Sequence, residues 1–169
     1  MKHILMNIWQ LLVISDSEVA VAKFSFNDST VVNQISINAS VHQISKQELM
    51  NEIMVLLNQN TENQESLPTF SHRVHHISPF GIKPIGRIYY NFSIDINQNK
   101  LIYSLSNFKW KDINRNRYGR FIESVRGRRK DLILFRKRLS SAQKLSITKR
   151  INHEMQRIHQ YLTSKLGTT

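Results

Sequence analysis

The sequence predicts an α+β fold in which two helices pack on one face of an antiparallel sheet of four to five strands. Three features support this prediction. Residues 86–110 read as two alternating strands joined by a polar turn, a capped helix follows an earlier strand, and an apolar stripe marks the C-terminal residues. Because a lone hairpin is only marginally stable, it needs further strands and a covering helix.

The first 22 residues have the order of a secretory signal peptide. Met1 to His3 precede a mostly apolar run from Ile4 to Ile14, and Ala20-Val21-Ala22 fits a signal-peptidase site. Polar and acidic residues interrupt this pattern, so the alternative is a structured N-terminal extension with a helix followed by a strand from Glu18 to Phe26. In both interpretations residues 23–169 form one domain, and residues 112–139 form a basic insertion within it.

A strand and a helix come next. Residues 31–41 alternate between apolar and polar side chains, which predicts a half-buried strand. Ser45 and Glu48 have the spacing of a capping box, so we expect a helix to begin there and to end near Gln59. Its apolar face contains Leu49, Ile53, Leu56 and Leu57.

Residues 70–78 predict a further strand, and the Pro- and Gly-rich residues 79–86 an edge or a loop. His72, His75 and His76 lie in this strand. His72 and His76 share a face but are about 13 Å apart at the usual rise of a strand, which is too far to chelate one ion. We therefore assign these histidines a structural or surface role and predict no metal site.

The hairpin has a register that its apolar residues determine. A turn centred between Gln98 and Asn99 pairs Ile94 with Tyr103 and Phe92 with Leu105 on the buried face. The same register continued to the end of the hairpin places four further residues on the exposed face. They could grip a ligand, but we favour a cation–π cluster that shields the sheet end. The pairs in this cluster are Arg87 with Trp110 and Tyr89 with Phe108.

After Trp110 the chain becomes strongly basic. The net charge is +12, yet residues 100–169 carry +14 and residues 1–99 carry −2. Between residues 115 and 138 arginine outnumbers lysine by eight to two, which suits bidentate contact with phosphate. We hypothesise that this segment binds an anion through Arg115, Arg117, Arg120, Arg126, Arg128, Arg129, Lys130, Arg136, Lys137 and Arg138.

The C-terminal residues predict one long helix. Residues 132–135 before it fit either a short strand or a helix. From Ser140 to Lys165 a single apolar stripe recurs every three or four residues, which is long enough to cover a sheet, and Gly167 would end the helix. The stripe consists of Ile147, Ile151, Met155, Ile158, Leu162 and Leu166.

The order of these elements, with the hairpin IYYNFSIDINQNKLIYSLSNF at its centre, resembles a bacterial family of unknown function that is described as having a TATA-binding-protein-like fold. The similarity extends from about Val31 to Leu166. It implies an exported protein and a sheet with both helices on one face, and it brings no catalytic motif. The Arg-rich stretch after Trp110 lies outside what the family explains.

Function is constrained mainly by absences and by charge. The chain has no cysteine, which excludes disulfides, thiolate metal sites and a cysteine nucleophile. It has no nucleophile elbow, phosphate loop or zinc-protease motif, so we predict a non-enzymatic binding or structural module without a cofactor. The expected partner is anionic: lipid, polysaccharide or an acidic protein for a protein exported to the periplasm or cell envelope. The alternative is a cytoplasmic nucleic-acid-binding protein that uses Arg115 to Arg138. A further possibility is that these charges only solvate the surface.

Overall fold

The computed structural model describes residues 21–37, 45–57, 69–97, 100–123 and 128–166. Within these ranges the chain has the predicted α+β architecture, with six antiparallel strands and three α-helices. The strands are β1 (Thr30–Ser36), β2 (Thr69–Ser78), β3 (Gly81–Asn97), β4 (Lys100–Arg115), β5 (Phe121–Glu123) and β6 (Lys130–Asp131). The helices are α1 (Lys46–Leu56), α2 (Leu132–Phe135) and α3 (Ser141–Leu166), and a 3-10 turn spans Arg136–Arg138.

Four strands form the body of the sheet in the order β1-β4-β3-β2, so β1 and β2 are its two edges. The two short strands both pair with the C-terminal part of β4. Strand β5 pairs with residues 113–115, and β6 pairs with Lys109 and Trp110. Part of the Arg-rich stretch is therefore folded onto the sheet.

The β3–β4 hairpin has the predicted register next to its turn. Ile94 pairs with Tyr103 and Phe92 with Leu105, and each of these side chains is at most 1% exposed. Ile96, which the alternation places on the same face, is 36% exposed because it lies next to the turn at the end of the sheet.

A β-bulge at Asn107 changes the register farther from the turn. Asn91 still pairs with Ser106, but Ile88 pairs with Trp110, so β4 contains one extra residue between these two pairs. Asn107 has a φ of 54°, a conformation that asparagine adopts more readily than most residues. The bulge reverses which face each later side chain of β4 occupies.

The predicted sheet-end cluster was therefore wrong in its pairing. Phe108 and Trp110 turn into the core, where they are 2% and 0% exposed. Arg87 and Tyr89 stay on the opposite face of the sheet and meet lysines instead. The observed cross-strand pairs are Arg87 with Lys111 and Tyr89 with Lys109.

Both long helices pack into one core with the sheet. Helix α1 buries Leu49 and Ile53, and every residue of the predicted α3 stripe is at most 2% exposed. The core positions expected from the patterns are confirmed as members of one buried cluster: Ile53, Phe92, Ile94, Tyr103, Leu105, Ile151 and Ile158.

Side-chain caps determine where the helices begin. The predicted capping box is confirmed, since Ser45 Oγ accepts from the backbone N–H of Glu48 and the Glu48 carboxylate accepts from that of Ser45. Ser140 and Gln143 make the same reciprocal pair at α3. Residues 132–135 form a helix because the carboxylate of Asp131 accepts from the backbone N–H groups of the first turn.

One element boundary differs from the sequence pattern, and three others lie beyond the described residues. Pro79 and Phe80 make a tight turn, and the rest of the predicted edge or loop belongs to β3, whose first residues pair with β2. The predicted helix end near Gln59, the stop at Gly167 and the centre of the turn at residues 98–99 lie outside the described residues.

The N-terminal residues that are described contact both β1 and α3. Ala22 donates its backbone N–H to Oδ1 of Asn33, and Phe24 donates to Oδ1 of Asn152 and is buried in the core. Residues 21–26 belong to no strand, contrary to the strand expected for a structured extension. The signal-peptide prediction falls mainly on residues 1–20, outside the described ranges. Among the described helices, none combines the length and the apolar character needed to span a bilayer.

Candidate anion-binding cleft

A cleft of about 350 Å³ lies between the edge strand β2 and the N-terminal half of α3. Its walls are rich in basic and imidazole side chains, with small and apolar residues between them. Strand β2 contributes Arg73, His75 and His76, and helix α3 contributes Lys149, Arg150 and His153.

The local geometry of each element explains this convergence. Because β2 is an edge strand, side chains from both of its faces border the cleft. The pairing register shifts after Val74, where His75 lies opposite Pro84 and Ile85 of β3 is the extra residue. On α3 the lining residues recur at helical spacing from Ala142 to His153, so they share one face of the helix.

A buried carboxylate anchors the helical side of the cleft. Glu154 has no exposed surface and contacts two guanidinium groups, that of Arg150 at 2.7 Å and that of Arg157 at 3.2 Å. Arg157 also donates to the backbone carbonyl of Leu56, which ties α3 to the end of α1. A buried carboxylate of this kind is stable only when such partners compensate its lost hydration.

His72, on strand β2, contacts Arg150 from the side of the sheet. Its Nδ1 lies 3.0 Å from a guanidinium nitrogen of Arg150, and its Nε2 lies 2.9 Å from the hydroxyl of Tyr90. Arginine can only donate, so Nδ1 must accept and Nε2 must carry the proton. Burial lowers the pKa of His72 to about 4, the nearby carboxylate of Glu154 opposes this shift, and Arg150 adds to it. The neutral imidazole and Glu154 together fix Arg150 in place.

The cleft carries a clear excess of positive charge. Arg73, Lys149 and Arg150 are permanent cations, and Glu154 lies behind Arg150 with its charge shared by Arg157. The sequence has no acidic residue in residues 69–94 or 141–153, which supply both walls. A ligand with one or two negative charges is the species that these walls can bind most favourably.

The Arg-rich segment is distributed over several local structures. Arg115 donates to the carbonyl of Gly119, and Arg117 donates to the hydroxyl of Tyr118 while lying 4.6 Å from its ring centre. Both arginines therefore stabilise the turn that follows β4. Arg120 is exposed beside them.

Two more cations of this segment lie next to the sheet. The guanidinium of Arg129 is 4.0 Å from the ring centre of Tyr89, on the face opposite the core. Lys130 pairs with Asp112 at 2.6 Å and lies 4.2 Å from the ring centre of Phe135. Arg128 is exposed, and Arg126 lies outside the described residues.

The last cations of the segment precede α3. Arg136 donates to the carbonyl of Phe26 and to Oδ1 of Asn27, so it holds the N-terminal segment. Phe26 packs against the core side, whereas Arg129 lies on the other face. Lys137 and Arg138 are exposed. The described cations of the segment therefore do not gather on one face, and their role in binding stays a prediction.

Arg87 and Tyr89, the two β3 residues of the predicted sheet-end cluster, contact Glu123 of β5. Arg87 donates to the carboxylate of Glu123 at 2.5 Å, and Tyr89 donates to the same carboxylate at 3.3 Å. The guanidinium of Arg87 and the hydrogen bonds keep the pKa of Glu123 low although partial burial opposes this. These contacts attach β5 to the outer face of β3.

Sequence patterns did not identify the cleft residues Arg73, Lys149 and Arg150, or Glu154 behind them. One signal was available in the sequence. Glu154 stands among the stripe residues Ile151, Met155 and Ile158, with arginines four residues before and three residues after it. A carboxylate on an apolar helix face with arginines at these spacings indicates a buried ion-pair network. The position of β2 beside α3 had no comparable signal.

Comparisons with known proteins give no further guide. No family model, no curated protein and no solved structure matches the chain. The resemblance to a family with a TATA-binding-protein-like fold therefore stays a prediction.

Proposed function

We propose that this protein is a non-enzymatic binding module that holds a phosphate or carboxylate group of an anionic partner in the cleft between β2 and α3. The observation that carries the proposal is the convergence of three permanent cations and three histidines on one concave site. Concave sites with a few fixed polar groups are typical ligand sites. The basic C-terminal half of the chain would add long-range attraction to the same partner.

The preorganisation of Arg150 supports binding in this cleft. Its guanidinium is held by Glu154 and His72 before any ligand arrives, so little side-chain entropy is lost on binding. A surface arginine without such contacts would lose more side-chain entropy when it binds the anion. Arg150 is therefore the proposed fixed contact, and Arg73 and Lys149 are the exposed cations that close around the anion.

The same contacts give His72 and Glu154 a positioning role. Both ring nitrogens of His72 are engaged, and Glu154 has no exposed surface, so both groups act on a ligand only through Arg150. Export to the periplasm or cell envelope, as predicted from residues 1–22, belongs to the same proposal. In that compartment lipid, polysaccharide and acidic proteins would carry such anionic groups.

Calorimetric titration with glycerol 1-phosphate and with inorganic phosphate tests the proposal. The double variant Arg73→Gln/Lys149→Gln should bind about tenfold or more weakly, because a hydrogen bond to a charged group contributes about 1.5–3 kcal/mol. The matched control is Arg128→Gln/Lys137→Gln, which removes the same charge from two exposed positions in the Arg-rich segment. An equal loss in both variants would show that general charge, and not the cleft, attracts the anion. A loss confined to the control would locate binding in the Arg-rich segment, as nucleic-acid binding would require.

A further inference from the structure

The turn between β2 and β3 exposes three large apolar side chains next to one another. Phe80 is 100% exposed, Ile77 is 74% exposed and Ile82 is 69% exposed. Ile77 and Ile82 are direct cross-strand partners, and Phe80 occupies the turn between them. Single exposed apolar residues are ordinary on protein surfaces, but three on one tip form a patch that indicates an interaction site.

The turn itself holds these side chains outward. Pro79 has a restricted φ, and the hydroxyl of Ser78 donates to the carbonyl of Gly81 at 3.1 Å. Gly81 has a φ of 122°, which is rarely adopted by residues with a side chain. The tip is therefore a defined hairpin end with its apolar groups presented to the solvent.

The apolar tip projects from a basic surface. Ile77 also lines the cleft, and Lys83 follows Ile82 directly in the chain. Neither residues 69–94 nor residues 141–153 contain an acidic side chain. Apolar groups beside cations, on walls without acidic side chains, are complementary to a surface that has anionic groups outside and hydrocarbon beneath them.

We propose that this tip enters the headgroup region of an anionic phospholipid bilayer while the cleft binds a lipid phosphate. The proposal rests on the proposed function of the cleft and names its partner. A bilayer accepts both kinds of group at once, since phosphates meet the cations and acyl chains meet Ile77, Phe80 and Ile82. A nucleic acid offers phosphates too, but it accepts apolar side chains only where its bases are unstacked, which is an added cost.

Vesicle co-sedimentation tests this inference with the full chain. Vesicles of phosphatidylcholine are compared with vesicles that also contain phosphatidylglycerol, at low and at physiological salt. The wild type should bind the anionic vesicles about tenfold or more tightly than the neutral ones, and the tip variant Phe80→Ser/Ile82→Thr, which changes no residue of the cleft lining, should lose about tenfold in affinity. The matched control is Leu134→Ser, which removes a side chain that is 82% exposed on α2, and it should bind as the wild type does.

A fluorescent variant reports insertion directly. Phe80→Trp should show a blue-shifted emission when anionic vesicles are added, and lipids brominated in the acyl chain should quench it. Vesicle binding without this shift, or an equal loss of binding in Leu134→Ser, would overturn the inference. So would a tip variant that loses binding to single- or double-stranded nucleic acid but keeps vesicle binding.

Binding of a soluble phosphate distinguishes the bilayer proposal from the proposed anion binding in the cleft, on which it rests. The tip variant should still bind glycerol 1-phosphate, because its cleft cations are intact, whereas Arg73→Gln/Lys149→Gln should lose both soluble ligand and vesicles. Binding of soluble phosphate without any vesicle binding would overturn the bilayer proposal and leave the cleft function standing. Binding of neither would overturn both.

Discussion

The guanidinium of Arg150 lies 2.7 Å from the carboxylate of Glu154, one turn farther along α3, and Glu154 has no exposed surface. This contact joins the core to the cleft, because Arg150 lines the cleft while Glu154 lies on the buried face of the helix. The fold and the candidate site therefore depend on the same ion pair.

Replacing Glu154 with Gln should lower the free energy of unfolding by about 3 kcal/mol, since two arginines lose a buried partner. The matched control is Glu52→Gln, which changes a partly exposed carboxylate that contacts Tyr161 and Lys165 and should destabilise the protein much less. Urea unfolding of both variants measures the difference. Equal losses would mean that the buried network contributes no more than a surface pair.

The stability of the protein should fall as the solution becomes mildly acidic because of His72. Its pKa is about 4 in the folded protein but about 6.5 for an exposed histidine, so the unfolded chain takes up a proton first as the pH falls. The stabilisation is complete above the higher pKa and is lost as the pH falls towards the lower one. From about pH 7.5 to about pH 5 the loss should be about 2 kcal/mol. The charged groups that act on His72 are Glu154, Arg150, Arg157 and Arg87.

Urea titrations at both pH values compare the wild type with His72→Gln, whose amide can accept from Arg150 and donate to Tyr90. The variant should lack about 2 kcal/mol of this pH dependence. Burial also lowers the pKa of His159, which remains in both proteins and cancels in the comparison. The same pH dependence in wild type and variant would refute the assigned role of His72.

The bulge at Asn107 should tolerate Gly but not a β-branched residue. With a φ of 54°, Asn107→Gly should change stability little, whereas Asn107→Val should cost about 1–2 kcal/mol. Deleting Asn107 should destabilise the protein far more, because it would turn Phe108 and Trp110 out of the core. Thermal unfolding of the three variants gives the ranking, and a stable deletion variant would contradict the bulge.

Gly86 leaves room for the indole of Trp110. A Cβ at this glycine would lie 2.0 Å from Cζ2 of Trp110, so Gly86→Ala should cost about 1–3 kcal/mol or more through overpacking. In a Trp110→Leu background the same change should cost much less, because the obstructing ring atoms are absent. A double-mutant cycle measures this coupling, and purely additive costs would show that the contact does not constrain the core.

Local patterns were sufficient for much of the fold. The register near the turn of the hairpin follows from where its apolar residues fall, and the Ser45 capping box and the α3 stripe follow from spacing within one element. Alternation alone did not predict that Phe108 and Trp110 face the core. The extra residue at Asn107 exchanges the two faces for every later side chain of β4. The cleft was also missed, since it depends on which edge strand lies beside α3. Charge density pointed to residues 115–138, where several of the described cations make local contacts, and anion binding by this segment stays a prediction.

The most direct test of the cleft is an NMR titration of the ¹⁵N-labelled protein with glycerol 1-phosphate. Saturable shift changes should be largest at His75, His76, Lys149 and Arg150, which border the proposed anion site, with a weaker response at higher salt. Changes that are largest between residues 115 and 138, or that spread over all cations without saturating, would contradict the account.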